Sequence, residues 1–329
     1  MTNAQIYRKT LPIALLRMLL CFAVFLVTAA LPVIAFLLTI NGERNVCVIA
    51  TSVALIVGIV ILCLAGRYLG YLFKAGQIAM ITKGVTEGEL PEHIVEAGKE
   101  AVKSRFGTAT VYFFLRSAIS TITSQLTKGL SAAGAAIGSL GGESGKKAGG
   151  AVGDAIGIAV AVVLEYVNYC CLGWVFHNPK QSSFHSTCDG AVLYFQNWKT
   201  LLKNAAKILG ITLLSFVLIG GSLTLLSHTI IAPMQGLGQL MDFVAQAAEV
   251  DGAMAEWIVA AVFGVICWLI VHSALVEPYI LVSVLRKYME AAEQNPPKVD
   301  VYEKLCGLSK KFKDLLGKAQ TEEGAAQHA

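Results

Sequence analysis

The chain has 329 residues, of which 55% are hydrophobic and only 15% are charged, and its formal net charge at pH 7 is +4. Several uninterrupted apolar segments approach or exceed the roughly 20 residues that cross a bilayer as a helix, and a soluble core of this size does not need them. The composition therefore argues against a soluble globular protein and predicts an all-α, polytopic helical membrane protein.

Two predicted transmembrane helices begin the chain. The apolar segment 11–40 is the first span; it is too long for the hydrophobic part of a signal peptide and has no clear small-residue cleavage site. A tight connection, 41–45, leads to the second span, 46–65. These segments predict two membrane crossings.

A polar and basic segment, 66–107, follows the second span. Pro91 stands in the first turn of an amphipathic helix that ends near Phe106, a pattern typical of a helix that lies at the membrane interface. The next apolar segment, 110–127, is short and carries Arg116. It either spans the bilayer or lies in the interface.

Glycines recur at every fourth position before and within the next predicted span, 151–176. Positions four residues apart stack on one helix face, and glycines there let a second helix approach until the backbones touch. We therefore predict a helix-packing face, while a flexible glycine-rich linker also fits its first part. The glycines of this face are Gly141, Gly145, Gly149, Gly153 and Gly157.

Two further spans, 208–231 and 257–285, complete the predicted transmembrane domain, 1–285. The remaining segment, 286–329, is predicted to be a basic amphipathic cytoplasmic tail that lies on anionic lipid. The apolar side chains assigned to this surface are Tyr302, Leu305, Leu308 and Phe312.

The distribution of Lys and Arg determines the predicted number of crossings. Segments 66–107 and 177–207 and the tail are basic, whereas 232–256 has several acidic residues and no Lys or Arg. Because short cytoplasmic loops are enriched in Lys and Arg, the basic segments belong on the cytoplasmic side. Counting 110–127 as a span satisfies this rule with about six transmembrane helices; with five, one basic segment lies on the wrong side. We predict a multi-pass protein of the plasma membrane with both termini cytoplasmic.

Ionisable side chains inside apolar segments are candidates for a functional site, because they are costly in a bilayer and usually face a partner or a water-filled cavity. Glu165, Arg116 and His272 are of this kind, and Tyr169 and Trp268 supply aromatic surface at or near the same spans. A carboxylate with aromatic walls suits a small organic cation, so these five residues form the predicted substrate-binding site. The alternative is that Arg116 and Glu165 form a structural pair that ties two helices together.

The sequence has no recognisable catalytic, metal or cofactor motif. It contains no nucleophile elbow, no paired-histidine metalloprotease motif and no phosphate-binding loop. The eight cysteines have no paired extracellular spacing and lie mostly in apolar segments, which argues against a disulfide framework. We therefore predict no enzymatic activity, no metal and no cofactor. The metal-capable residues whose spacing matches no compact zinc signature are His177, His185, Cys188 and Asp189.

The second half of the chain carries a family resemblance. The glycine-rich run 149–157, followed by Glu165-Tyr166, Cys170-Cys171 and Lys203-Asn204-Ala205-Ala206, resembles the later part of choline transporter-like membrane proteins. The resemblance covers about 145–290. It implies a role in transport.

Two classes of function are compatible with these features. The first is a small transporter or channel with a polar site in the middle of the membrane. The alternative is a non-transporting membrane scaffold that assembles through its glycine-zipper face and basic tail. The partners expected are the lipid bilayer, anionic lipids at the tail, a small organic cation or ion, and a second copy of the chain; nucleic acid is not expected.

Overall fold

The computed structural model describes residues 1–106, 117, 120–121, 124, 166–197, 205–231 and 238–327. Every regular element in these ranges is helical, so the prediction of an all-α membrane protein is confirmed. In chain order the helices are α1 (Asn3–Thr39), α2 (Arg44–Leu69), α3 (Ala75–Thr86), α4 (Ile94–Phe106), α5 (Val167–His177), α6 (Ser183–Gln196), α7 (Ala205–Ser215), α8 (Gly221–Ile231), α9 (Gly238–Ala248), α10 (Gly252–Val271), α11 (Glu277–Gln294), α12 (Val299–Leu308) and α13 (Lys310–Gln327).

Four of the described helices are long and apolar enough to cross a membrane. They are Asn3–Thr39, Asn45–Gly66, Lys207–Ile231 and Gly252–Gln294. Most of their large apolar side chains are exposed, as expected where lipid rather than protein surrounds a helix. These helices overlap the predicted spans 11–40, 46–65, 208–231 and 257–285. The other two predicted spans, 110–127 and 151–176, lie mostly outside the described residues, so the count of six stays a prediction.

Three π-helical turns connect consecutive helices within the described residues. The turns are Gly70–Lys74 between α2 and α3, Phe216–Gly220 between α7 and α8, and His272–Val276 between α10 and α11. A π-helical turn interrupts the regular i to i−4 hydrogen-bond ladder and is frequent at functional sites. These turns are therefore candidate functional positions along otherwise regular helices.

The described contacts group the chain into two units. The first, here called the transmembrane unit, comprises Ala14–Gly70 and Ile211–Glu277. In this unit α8 packs closely against α10, where a Cβ added at Gly264 would lie 2.8 Å from the backbone nitrogen of Thr224. Helices in lipid gain little from the hydrophobic effect and associate through van der Waals packing. Small residues allow the close approach of backbones that this packing needs.

The second, here called the helical unit, comprises Met1–Ile13, Tyr71–Gly210 and Pro278–Ala329. In this unit α3 packs against α4, with Gly76 and Gly98 facing each other at backbone contact. Helix α5 packs on both α3 and α6. The predicted amphipathic helix is α4, and its apolar side is buried within this unit.

The tail forms α12 and α13, and both pack on α6. The side chains of Leu305, Phe312, Leu315 and Ala319 are buried there, with Phe312 fully buried. Their helical spacing is the amphipathic pattern seen in the sequence, but protein covers the apolar face. Contact of the tail with anionic lipid stays a prediction. The exposed lysines could make this contact, whereas Leu305 and Phe312 are covered by protein.

Candidate functional site

The residues of the predicted substrate site are distributed over different parts of the molecule. Glu165 and Arg116 lie outside the described residues, and so do the five glycines of the predicted packing face. Their pairing and packing stay predictions. Trp268 and His272 belong to the transmembrane unit, whereas Tyr169 belongs to the helical unit.

Tyr169 is bound by a cation of the chain itself. The Nζ atom of Lys74 lies 4.2 Å from the centroid of the Tyr169 ring and donates a hydrogen bond to its hydroxyl oxygen. Tyr166 meets the same ring edge-on, with 5.9 Å between ring centroids. Lys74 therefore makes the cation–π contact with Tyr169 that we had predicted for a cationic substrate. This favours a structural role for Tyr169.

Trp268 and His272 lie beside each other where two interrupted helices pack together. Their ring centroids are 5.1 Å apart, and Phe216 meets Trp268 edge-on at 4.9 Å. The indole nitrogen of Trp268 also lies 3.4 Å from the hydroxyl oxygen of Ser215 and donates to it. Since Phe216 and His272 each begin a π-helical turn, the aromatic cluster joins the two irregular turns of the transmembrane unit.

Arg17 is a buried cation of this unit, and it was not singled out from the sequence. It lies in the helix Asn3–Thr39 with only 4% of its surface exposed. One terminal nitrogen, Nη2, donates a hydrogen bond to the backbone carbonyl oxygen of Ser273. Ser273 follows His272 in the π-helical turn, where the ladder is interrupted and a carbonyl oxygen can accept from another helix. The guanidinium and the aromatic cluster therefore adjoin the same turn.

The signal that could have identified Arg17 is present in the sequence. It is an ionisable residue inside the first apolar segment, which is the criterion that selected Arg116. Glu277, one helical turn beyond Ser273, is also buried, with 6% of its surface exposed. The transmembrane unit thus contains a buried arginine and a buried glutamate.

A second buried polar network lies in the helical unit and holds the tail. The carboxylate of Asp189 accepts hydrogen bonds from the hydroxyl of Tyr302 and, at 2.8 Å, from the side-chain nitrogen of Gln181. The Nε2 atom of His185 lies 3.4 Å from the same carboxylate. Tyr302 is on α12 and Asp189 on α6, so the network fixes the first tail helix to the unit.

Among its described residues, the same region does not have the arrangement of a metal site. Within the ranges that the structure describes, no three His, Cys, Asp or Glu side chains are grouped so that they could hold a metal ion. Burial is the main cause that raises the pKa of the Cys188 thiol, and the nearby Asp189, Cys171 and Cys306 add to it. Cys188 is therefore a neutral thiol at physiological pH and a poor nucleophile.

Comparison of the chain with protein-family models, curated proteins and solved structures gave no match. The resemblance to choline transporter-like proteins stays a prediction. What the fold and composition define is a class: a multi-pass, all-helical integral membrane protein.

Proposed function

We propose that the transmembrane unit is a small transporter that binds a solute carrying a carboxylate group, and that Arg17 is the residue that holds it. The observation that carries this proposal is the hydrogen bond from the buried guanidinium of Arg17 to the carbonyl oxygen of Ser273 in a π-helical turn.

The free-energy cost of burying Arg17 in a membrane helix favours a functional role for this residue. A charged side chain inside an apolar membrane segment is costly, and such residues typically mark the pathway of a substrate or ion. Irregular backbone at membrane depth is tolerated where it is covered by protein or lines a water-filled cavity. Arg17 and the turn that contains Ser273 combine both features.

The chemistry of the guanidinium indicates the class of solute. It carries five N–H donors in a planar fork that matches a carboxylate, and its bond to Ser273 uses one of its nitrogens. The rings of Trp268 and His272, inclined at 45° to each other, lie beside the same turn. The organic cation suggested by the sequence depended on Glu165, whereas the guanidinium of Arg17 favours a carboxylate, in an anion or a zwitterion.

Transport assays on the reconstituted protein test the proposal. The purified chain is placed in liposomes, and the uptake of radiolabelled succinate and of radiolabelled alanine is compared with protein-free liposomes. We expect uptake of at least one solute. Arg17→Gln should reduce that uptake at least tenfold, about 1.4 kcal/mol in binding terms. Arg8→Gln is the matched control, because Arg8 lies on the same helix with an exposed side chain.

Two results would contradict the proposal. One is the absence of uptake of both solutes by protein that is folded by circular dichroism and gel filtration. The other is an equal loss of uptake in Arg17→Gln and Arg8→Gln. Absent transport together with a lower melting temperature for Arg17→Gln supports the alternative function, a scaffold in which Arg17 only ties helices together.

A further inference from the structure

A cleft of about 480 Å³ opens in the helical unit between α3, α4 and α5. Its volume falls in the range of small-molecule sites, which is roughly 300–1,000 Å³. Met80, Ala101 and Phe176 provide apolar walls, and charged side chains from α3 and α4 stand among them. It is separate from the residues of the transmembrane unit that carry the proposed transport function.

The last turns of three helices contribute to this cleft. Helix α3 ends at Thr86, α4 at Phe106 and α5 at His177, and residues from each of these turns line the space. The C-terminal end of a helix carries a partial negative charge of about half an electron, because its last carbonyl groups have no partner within the helix. Three such ends around one cleft favour a positively charged ligand.

Both cations of the cleft lining are engaged by other groups of the chain. Lys83 lies 3.6 Å from the carboxylate of Glu87, which offsets its charge. The two terminal nitrogens of Arg105 donate to the carbonyl oxygens of Pro179 and Gln181 at 3.0 and 2.9 Å, so they are occupied by the loop after α5. Glu100 lines the cleft as an exposed residue, and among the described residues it forms no ion pair.

We propose that this cleft binds a small organic amine, whose protonated nitrogen donates hydrogen bonds to Glu100 and whose apolar body lies against Met80 and Phe176. Because the acceptor is a carboxylate, the ligand has N–H groups. A quaternary ammonium of the same size lacks these donors and binds more weakly. The site goes beyond the proposed transport function and depends on none of its residues.

Calorimetric titration of the purified full-length protein with three probes tests this site. The probes are benzylamine, benzyltrimethylammonium and benzyl alcohol, which share an aromatic body and differ in charge and donors. We expect benzylamine to bind most tightly of the three. Glu100→Gln should weaken benzylamine roughly tenfold, the usual size of one charge-assisted hydrogen bond. Glu96→Gln is the matched control, since Glu96 is an exposed acid on the same helix outside the cleft lining.

A second variant tests the position of the ligand without changing charge. Ala101→Phe fills part of the cleft and should abolish benzylamine binding, while succinate and alanine uptake stay at the wild-type level. The proposal is overturned if benzylamine does not bind at millimolar concentration, or if benzyl alcohol or benzyltrimethylammonium binds as tightly. Equal weakening of benzylamine by Glu100→Gln and Glu96→Gln also overturns it. Because these results do not involve Arg17, they are independent of the transport assay.

Discussion

The guanidinium of Arg17 donates a hydrogen bond to the backbone carbonyl oxygen of Ser273, so a buried charge of one membrane helix is bound by the interrupted backbone of another. The two residues are 256 positions apart in the chain. Their contact therefore depends on the packing of the transmembrane unit and not on local sequence. It joins the cation to the turn that carries His272, and through His272 to Trp268.

The close approach of α8 and α10 predicts that a methyl group is not tolerated at Gly264. A Cβ there would lie 2.7 Å from the Cα atom of Thr224, which can move only if the helices separate. Gly264→Ala should lower stability by about 1–3 kcal/mol, the usual cost of overpacking, despite the better helix propensity of alanine. The measurement is the melting temperature in detergent.

Gly221→Ala is the control for this prediction. A Cβ at Gly221 meets nothing within 4 Å among the described residues, and alanine is favoured over glycine in a helix by about 0.5–1 kcal/mol. Its melting temperature should equal or exceed that of the wild type. The close packing of α8 and α10 would be refuted if both variants behaved alike.

The Asp189 network predicts that the tail can be loosened by removing one hydroxyl group. Tyr302→Phe deletes the hydrogen bond to the buried carboxylate and leaves Leu305 and Phe312 in place. A hydrogen bond to a charged group contributes about 1.5–3 kcal/mol, so limited proteolysis should cut the tail faster. Tyr279→Phe, at a half-exposed ring, should leave the cutting rate unchanged. Unaltered proteolysis of Tyr302→Phe would show that apolar packing alone holds α12.

Burial of Cys188 predicts a loss of stability at alkaline pH. Its pKa in the folded chain is raised from the ordinary 9.0, so the unfolded chain loses the thiol proton first as pH increases. The stabilising contribution is fully present below pH 9.0 and is lost progressively as pH rises towards the folded-state pKa. The drop in melting temperature between pH 8 and pH 10 should therefore be smaller for Cys188→Ala than for the wild type. An identical drop in the two proteins would contradict the role of this thiol.

The sequence predicted the class of fold because the apolar segments are long and uninterrupted, and a 20-residue apolar helix has few alternatives to crossing a bilayer. It also predicted the amphipathic character of α4 and the tail. Periodicity shows that one face of a helix is apolar, but not what covers that face. The burial of Phe312 against protein, rather than lipid, depends on tertiary packing with α6.

The candidate site was less accessible to sequence reasoning. Trp268 and His272 lie beside each other in the structure, as residues four apart on one helix face can, but the sequence analysis placed them only at or near the same spans. Arg17 was overlooked, and the pairing of Tyr169 with Lys74 could not be seen because those residues are 95 positions apart. The π-helical turn that presents the carbonyl of Ser273 has no simple sequence signature. Local patterns thus located the helices, while the partners of the buried charges required the structure.

The central claim, that Arg17 faces a solute rather than only tying two helices, is tested most directly by its accessibility to water. Arg17→Cys is treated in membranes with a negatively charged methanethiosulfonate reagent, and peptide mass spectrometry follows labelling of residue 17 in the otherwise unchanged chain. Leu19→Cys is the control, because that side chain is 63% exposed on an apolar face of the same helix. We predict that residue 17 is labelled faster than residue 19, and that the solute taken up in liposomes slows its labelling. Labelling of residue 17 that is no faster than that of residue 19, or that the solute leaves unchanged, would contradict the account.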